Sequence, residues 1–287
     1  MTGDSEHPPP SQTSGRVFVG RQTELAALRA GLERAMAGRG GVCLVAGEPG
    51  IGKSELADRL AADAGARGAE VLWGRSWEGE GAPPYWPWAQ ILRAYVHARD
   101  GVGLEAIFGA ATPYVAQVVP EIRDRLPDLP VPPPLDSEQA RFRLFDALTT
   151  FLTSAARTRP LVLVLDDLHW ADKPTLLLLR FLARELTAAH LLVVATYRDV
   201  EVSPGHPLAE VLPSLRQERT VERILLRGLP EGDVETLLAA LRGEPVPAAL
   251  ARAISRETEG NPFFIQEIVR HLVDEGLLGR DGMPWTS

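Results

Sequence analysis

Apolar residues recur at helical spacing from Thr23 to Ala37, where Leu25, Leu28, Leu32 and Met36 predict an amphipathic helix. Val42-Cys43-Leu44-Val45-Ala46 breaks that period. This short unbroken apolar run, rich in β-branched residues and bounded by glycines, predicts a buried strand. Four more segments read the same way: Glu70 to Trp73, Leu161 to Leu165, Leu191 to Thr196 and Val221 to Leu226. Helical stretches separate them at Lys53 to Arg67, Trp86 to Arg99, Asp136 to Arg157, Lys173 to Leu186 and Leu208 to Gln217. Asp136 with the following Gln139, and Asp172 ahead of Pro174, have the chemistry of helix starts. Strands alternating with helices predict βαβ units and an α/β fold, its mostly parallel sheet sandwiched by helices.

Two stretches interrupt the rhythm. Gly79 to Pro87 holds Pro83-Pro84-Tyr85-Trp86-Pro87, and five prolines fall between Pro127 and Pro134. Both predict loops that frame a helical insertion between the second and third strands. After Gly228-Leu229-Pro230 the strand signature stops. Glu231 to Arg242, Pro247 to Glu259 and Phe263 to Gly276 predict a small C-terminal helical domain. Met1 to Arg16, polar and containing Pro8-Pro9-Pro10, reads as a disordered leader.

Composition acts mainly by exclusion. Of 287 residues, 45% are hydrophobic and 24% charged, which is ordinary globular usage and excludes a fibrous or disordered chain. The formal charge of −8 argues against direct nucleic-acid binding by this segment, because a non-specific grip on phosphate needs clustered positive charge. The apolar runs fall well short of the about 20 residues of a bilayer span. The N-terminus has no apolar secretory core, and the single Cys43 cannot form an intrachain disulfide. These features predict a cytoplasmic protein without membrane contact. Lysine occurs only at Lys53 and Lys173 among 30 basic residues, so a motif that retains one stands out.

Lys53 is in such a motif. Gly47-Glu48-Pro49-Gly50-Ile51-Gly52-Lys53-Ser54 follows the first strand and opens a helix, the context a phosphate-binding loop requires. Its glycines let backbone N–H groups converge on phosphate oxygens, and the helix start adds unpaired N–H groups and a positive dipole end. Lys53 supplies a point charge for the β and γ phosphates, and the Ser54 hydroxyl can ligate Mg²⁺.

Asp166-Asp167 closes the strand Leu161 to Leu165. Ligands of open α/β sheets sit beyond the carboxyl ends of the strands, so these acids can divide the work. Asp166 would hold Mg²⁺, and Asp167 would orient or deprotonate an attacking water. An aspartate pair also caps turns after strands, and the phosphate loop upstream favours the metal role. The strand Leu191 to Thr196 ends in Tyr197-Arg198-Asp199, where Arg198 could reach a γ-phosphate or pair with Asp199 on the surface.

Five motifs occur in fixed order: Phe18-Val19-Gly20-Arg21, the phosphate loop, Asp166-Asp167-Leu168-His169-Trp170-Ala171-Asp172, Thr196-Tyr197-Arg198 and Gly260-Asn261-Pro262-Phe263-Phe264. The set resembles the signal-transduction ATPases with numerous domains (STAND), a branch of the P-loop ATPases related to the AAA class. Within it, the chain is similar to the ATPase module of large ATP-binding LuxR-type transcriptional regulators and cyclase-linked bacterial signalling proteins. The segment Glu78-Gly79-Glu80-Gly81-Ala82-Pro83-Pro84-Tyr85-Trp86-Pro87-Trp88 resembles one typical of that branch.

The resemblance implies ATP and Mg²⁺ as cofactors. It places Val19, Gly20 and Arg21 near adenine and ribose, Arg198 as the γ-phosphate sensor and Pro262 in a helical lid over the base. It also implies that the acidic and sensor strands lie beside the phosphate-loop strand. The domain reading is then a leader at 1–16, a P-loop ATPase core at 17–228, and a lid with the start of a truncated following domain at 229–287. Relatives continue into sensor and helix-turn-helix domains, so the chain reads as a fragment of a longer parent, with nucleotide-dependent self-association among its expected partnerships. Adenine over guanine rests on the resemblance, since no Asn-Lys-x-Asp pattern occurs.

The expected activity is slow regulatory hydrolysis of ATP. The alternatives are a nucleotide-gated interaction module without useful hydrolysis and a DNA-dependent AAA-type ATPase. Other features read as structural. Trp73, Trp77, Tyr85, Trp86 and Trp88 would pack a satellite core, a ligand-stacking platform being the other reading. His169 reads as packing at a helix start, Cys43 as inert core, and Arg141, Arg143 and Arg157 as a solvated face. Lys173 reads as surface.

Overall fold

The computed structural model describes residues 17–79, 81–99, 103–132, 134 and 137–275. The predicted leader, the predicted cap Asp136, Glu80 and the end of the chain from 276 lie outside the described residues. The described chain divides into two compact units: Arg21–Arg227, and a second made of Gly228 onward with Gly20 and the residues before it.

The first unit is an α/β sandwich. Its elements run α1 (Gln22–Met36), β1 (Gly41–Ala46), α2 (Lys53–Ala66) and β2 (Glu70–Arg75). The insertion follows as α3 (Trp86–His97), α4 (Leu104–Phe108), α5 (Thr112–Val118), α6 (Ile122–Arg125) and α7 (Glu138–Thr158). Then come β3 (Leu161–Asp166), α8 (Lys173–Glu185), β4 (Leu191–Tyr197), α9 (Pro207–Gln217) and β5 (Val221–Leu225). The strands form one five-stranded sheet in the order β2-β3-β4-β1-β5, with every pairing parallel. The sensor strand β4 therefore lies directly beside β1, while the acidic strand β3 stands one place further out. This corrects the expectation that both flank the phosphate-loop strand.

Alternation decides which helices cover which face. Leu161, Leu163 and Leu165 of β3 and Leu191, Val193 and Ala195 of β4 join a core with α3, α5, α7, α8 and α9. On the opposite face, α1 approaches so closely that a Cβ on Gly31 would stand 3.1 Å from Cys43 Sγ. All residues of β3 and β4 are buried, which explains their continuous apolar reading. Burial pushes the Cys43 thiol up to about 12, so it stays an uncharged core group.

Local caps place the helices. Asp172 accepts from the Thr175 N–H at 3.3 Å to start α8, with Pro174 in the first turn. For α7 the cap is Ser137, whose Oγ accepts from the Ala140 N–H at 3.1 Å. The insertion is seated tightly on the sheet, since a Cβ on Gly74 would lie 2.2 Å from the Pro87 carbonyl oxygen. Trp88 and Tyr85 belong to the main core, and Trp88 Nε1 donates to the Thr175 carbonyl at 3.2 Å. Trp77 by contrast is 48% exposed, so the tryptophans do not form one satellite core.

The second unit holds α10 (Glu231–Arg242), α11 (Ala248–Thr258) and α12 (Pro262–Asp274). They enclose Leu229, Val234, Leu237, Leu238, Ile254 and Ile265, with Val17 and Val19 packed against them. Among the described residues no helix is long and apolar enough to cross a membrane.

Candidate functional site

Because all strands are parallel, their carboxyl ends share one edge of the sheet, where α/β folds bind ligands. At that edge β1 runs into the loop Gly47 to Gly52. The loop needs left-handed backbone at Gly50 (φ 75°) and Gly52 (φ 99°), which glycine enters without a Cβ penalty. Gly52 then directly precedes α2, whose first N–H groups have no partners within the helix. Glu48, Pro49 and Gly50 are exposed at the tip, while Gly47 and Ile51 are buried. The Lys53 ammonium folds over the loop and donates to the carbonyls of Gly47 at 2.9 Å and Glu48 at 2.8 Å. Burial pulls its pKa below the ordinary lysine value, with the Asp167 charge opposing most strongly.

Asp166 is the hub of the site and is 1% exposed. Its Oδ1 accepts from Thr196 Oγ1 at 2.5 Å and Ser54 Oγ at 3.0 Å. Its Oδ2 accepts from Arg75 Nη2 at 2.8 Å and Arg75 Nε at 3.1 Å. Sheet register explains the meeting. Arg75 at the end of β2 pairs with Asp166 at the end of β3, and Leu165 pairs with Ala195, one residue before Thr196. Side chains at matched positions of parallel strands point to the same face, so Arg75, Asp166 and Thr196 form a row across three strands. Thr196 Oγ1 also accepts from the Asp167 N–H at 2.9 Å, so one buried hydroxyl holds both acids.

Asp167 takes a left-handed conformation (φ 59°), uncommon for a residue with a Cβ and of the kind stored at functional sites. Burial, then the neighbouring Asp166 charge, pushes its pKa above the ordinary aspartate value, while Arg198, Arg75 and Lys53 pull it down. Arg198 donates to Glu201 Oε1 at 2.7 Å. Its partner is therefore Glu201 and not Asp199, because a single 3-10 turn brings residue 201 back beneath it. Its charge still reaches Lys53 and Asp167.

His169 does more than pack. Its side chain is fully buried, Nδ1 accepts from the Arg198 N–H at 3.4 Å, and Nε2 lies 3.5 Å from Glu201 Oε2. Burial holds its pKa down at about 4, so the ring is neutral near pH 7.

Arg21 reaches the site by its side chain. From a left-handed backbone (φ 65°) its Nη2 donates to the Ile51 carbonyl at 3.2 Å, tying the start of α1 to the phosphate loop. Val19, Gly20 and Pro262 belong to the second unit. There Val19 packs on the helical core, and a Cβ on Gly20 would lie 2.5 Å from Asp233 Oδ2. Pro262 opens α12, whose cap Asn261 accepts from the Phe263 N–H at 3.1 Å. Lys173 is surface as expected, paired with Glu210 at 2.6 Å. The sequence reading gave no role to Arg75, Glu201 or the Thr196 hydroxyl. Their available signal was a polar residue at or just beyond a strand end.

A family profile described as an AAA ATPase domain matches residues 17–194, and a domain of unknown function matches residues 236–279. The fold is shared with a signal transduction ATPase with numerous domains from Pyrococcus horikoshii, which carries a tetratricopeptide repeat sensor. The two are 17% identical with a TM-score of 0.53, over 93% of this chain and 34% of that protein. The fold is shared also with a chain of the Drosophila ORC bound to DNA, at 15% identity and a TM-score of 0.56, over 96% of this chain and 65% of that one. This chain thus spans about a third of the Pyrococcus protein. No curated protein matches the sequence. With the profile covering more than half of the chain and the fold agreeing with it, the chain belongs to the AAA ATPase domain family, as an α/β P-loop ATPase.

Proposed function

We propose that the unit Arg21–Arg227 is the ATPase core, and the helices α10 to α12 a lid domain, of a switch that binds Mg·ATP and hydrolyses it slowly. The observation that carries this reading is the meeting of Lys53, Ser54 and Asp166 at the carboxyl edge of the sheet. Lys53, drawn off the Gly47 and Glu48 carbonyls, offers its charge to the β and γ phosphates. Gly47 to Gly52, Pro49 apart, offer backbone N–H groups, and Arg21 would serve the adenine and ribose side.

The residues present suit Mg²⁺. It takes hard oxygen donors and binds through one or two protein groups plus phosphates, not an all-protein cage. Ser54 and Asp166 supply such oxygens, and among the described residues no group of three His, Cys, Asp or Glu forms a cage. Held there, the cation would offset charge on the phosphate oxygens. Asp167, with its raised pKa, accepts the proton of the attacking water, and Thr196 holds both acids in register. Arg198, released from Glu201, senses the γ-phosphate.

The switch reading extends to a bacterial LuxR-type transcriptional regulator or signalling protein in the cytoplasm. Sensor and helix-turn-helix domains would follow in a longer parent, with self-association governed by nucleotide. Calorimetry tests the site: Lys53→Ala abolishes ATP binding, and unchanged affinity refutes the assignment. Phosphate release with and without Mg²⁺ separates a slow ATPase from a nucleotide-gated module. A salt-dependent DNA gel shift would favour a DNA-dependent enzyme.

A further inference from the structure

A carboxylate as buried as Asp166 must be compensated. Two of its donors, Ser54 and Thr196, are neutral hydroxyls. Its salt-bridge partner among the described residues is Arg75, which closes on Oδ2 with two N–H groups. The pair is lopsided, because the carboxylate side chain is 1% exposed and the guanidinium side chain 64%. Asp166 is fixed, whereas Arg75 has open solvent to swing into once another cation compensates the carboxylate.

Resting on the nucleotide-site reading above, we propose that Arg75 stands in for the divalent cation at Asp166, yields the carboxylate when the cation arrives, and so reports metal occupancy to the insertion. The competition is electrostatic and spatial. A cation on Asp166 needs the oxygen lone pairs that Arg75 now fills, and two positive groups cannot share them without repulsion.

The report has a physical route. The Gln90 side-chain amide grips the backbone of Arg75, with Nε2 donating to its carbonyl at 2.8 Å and Oε1 accepting from its N–H at 3.3 Å. Gln90 lies on α3, the insertion helix whose Pro87 backbone abuts Gly74. Trp77 follows Arg75 closely in sequence and Trp86 opens α3, so indole emission samples this region. Arg75 is thus a positioning residue and touches no reacting atom.

The test is calorimetric titration of ATP at graded Mg²⁺ with the full chain and its Arg75→Ala and Arg75→Lys variants, alongside tryptophan emission. Loss of a charge-assisted, two-pronged competitor lowers the Mg²⁺ concentration that half-supports nucleotide binding by about tenfold in Arg75→Ala. Arg75→Lys, which keeps the charge and loses the fork, falls between and guards against a folding defect. The emission change on adding Mg²⁺ is lost in Arg75→Ala. An unchanged or raised Mg²⁺ requirement overturns the proposal. So does an Arg75→Ala protein that loses affinity for ATP but not ADP, which would make Arg75 a phosphate ligand. Failure is distinguishable from failure of the site itself: a wild-type chain that binds no nucleotide at any Mg²⁺ concentration removes both readings.

Discussion

Thr196→Val is a nearly isosteric change at a side chain with no solvent exposure, and it isolates one hydroxyl. That hydroxyl donates to Asp166 Oδ1 at 2.5 Å and accepts from the Asp167 N–H at 2.9 Å. Without it, the Asp167 N–H loses its partner, at a cost of about 1–3 kcal/mol for a buried donor. Asp166 Oδ1 retains Ser54 at 3.0 Å, so its loss is held to about 1 kcal/mol. The added methyl returns roughly 0.8 kcal/mol of apolar burial. The expected net destabilisation is about 1–3 kcal/mol, or roughly five- to a hundredfold in the folding equilibrium, on the order of one decade per 1.4 kcal/mol.

Urea denaturation followed by tryptophan emission reads the right unit, because Trp73, Trp77, Trp86, Trp88 and Trp170 all lie within Arg21–Arg227. The midpoint should fall with the slope unchanged. Thr196→Ser, which keeps the hydroxyl, should recover most of the loss. A Thr196→Val loss below about 0.5 kcal/mol, the size of an indifferent surface change, would refute the idea that this hydroxyl holds the acid pair.

Asp167→Asn should keep ATP affinity and lower phosphate release by about 10²–10⁴-fold, the share of a general base; normal release from that variant removes Asp167 from the role. Gly74→Ala would set a Cβ 2.2 Å from a backbone oxygen, so a loss of about 3 kcal/mol is expected, seen as roughly a 10 °C fall in Tm. Buried His169 stays neutral down to about 4 in the folded chain, whereas the unfolded ring takes up its proton near its ordinary value. Between those two values the unfolded state binds more protons, so stability falls as pH drops from about 6.5 towards 4, by up to about 3 kcal/mol. His169→Gln should remove that part of the pH dependence of the urea midpoint, and an unaltered profile would show that the ring is not the titrating group.

What the sequence disclosed and what it withheld follow from where each signal is stored. The phosphate loop is local: Gly47 to Ser54 carries its glycines, ammonium and hydroxyl in eight consecutive residues between a strand and a helix. Asp166-Asp167 was equally legible, as an acid pair at the end of an apolar run. The row Arg75–Asp166–Thr196 is stored elsewhere, in the pairing of strands separated by an insertion of several helices and by α8. Hydrophobic pattern gives strand positions but not strand order, and the order decides which strand ends meet. Here β4 lies between β1 and β3, so the acid faces Thr196 on one side and Arg75 on the other.

The same reasoning explains Arg198. Its near neighbours in sequence suggest Asp199, but a 3-10 turn selects Glu201, and the turn is decided by the fold and not by the local sequence. It also explains the split among the tryptophans, since Gly74 lets α3 press onto β2 and bury Trp88 while Trp77 stays half exposed. Given the observed order, the parallel register itself becomes predictive. Residues matched in register share one row at the carboxyl edge, so a polar residue at or next to the end of an otherwise apolar strand is a candidate for the site. By that rule Arg75 and Thr196 stand with Asp166 as members of one unit, and perturbing any one of them should be felt by the other two.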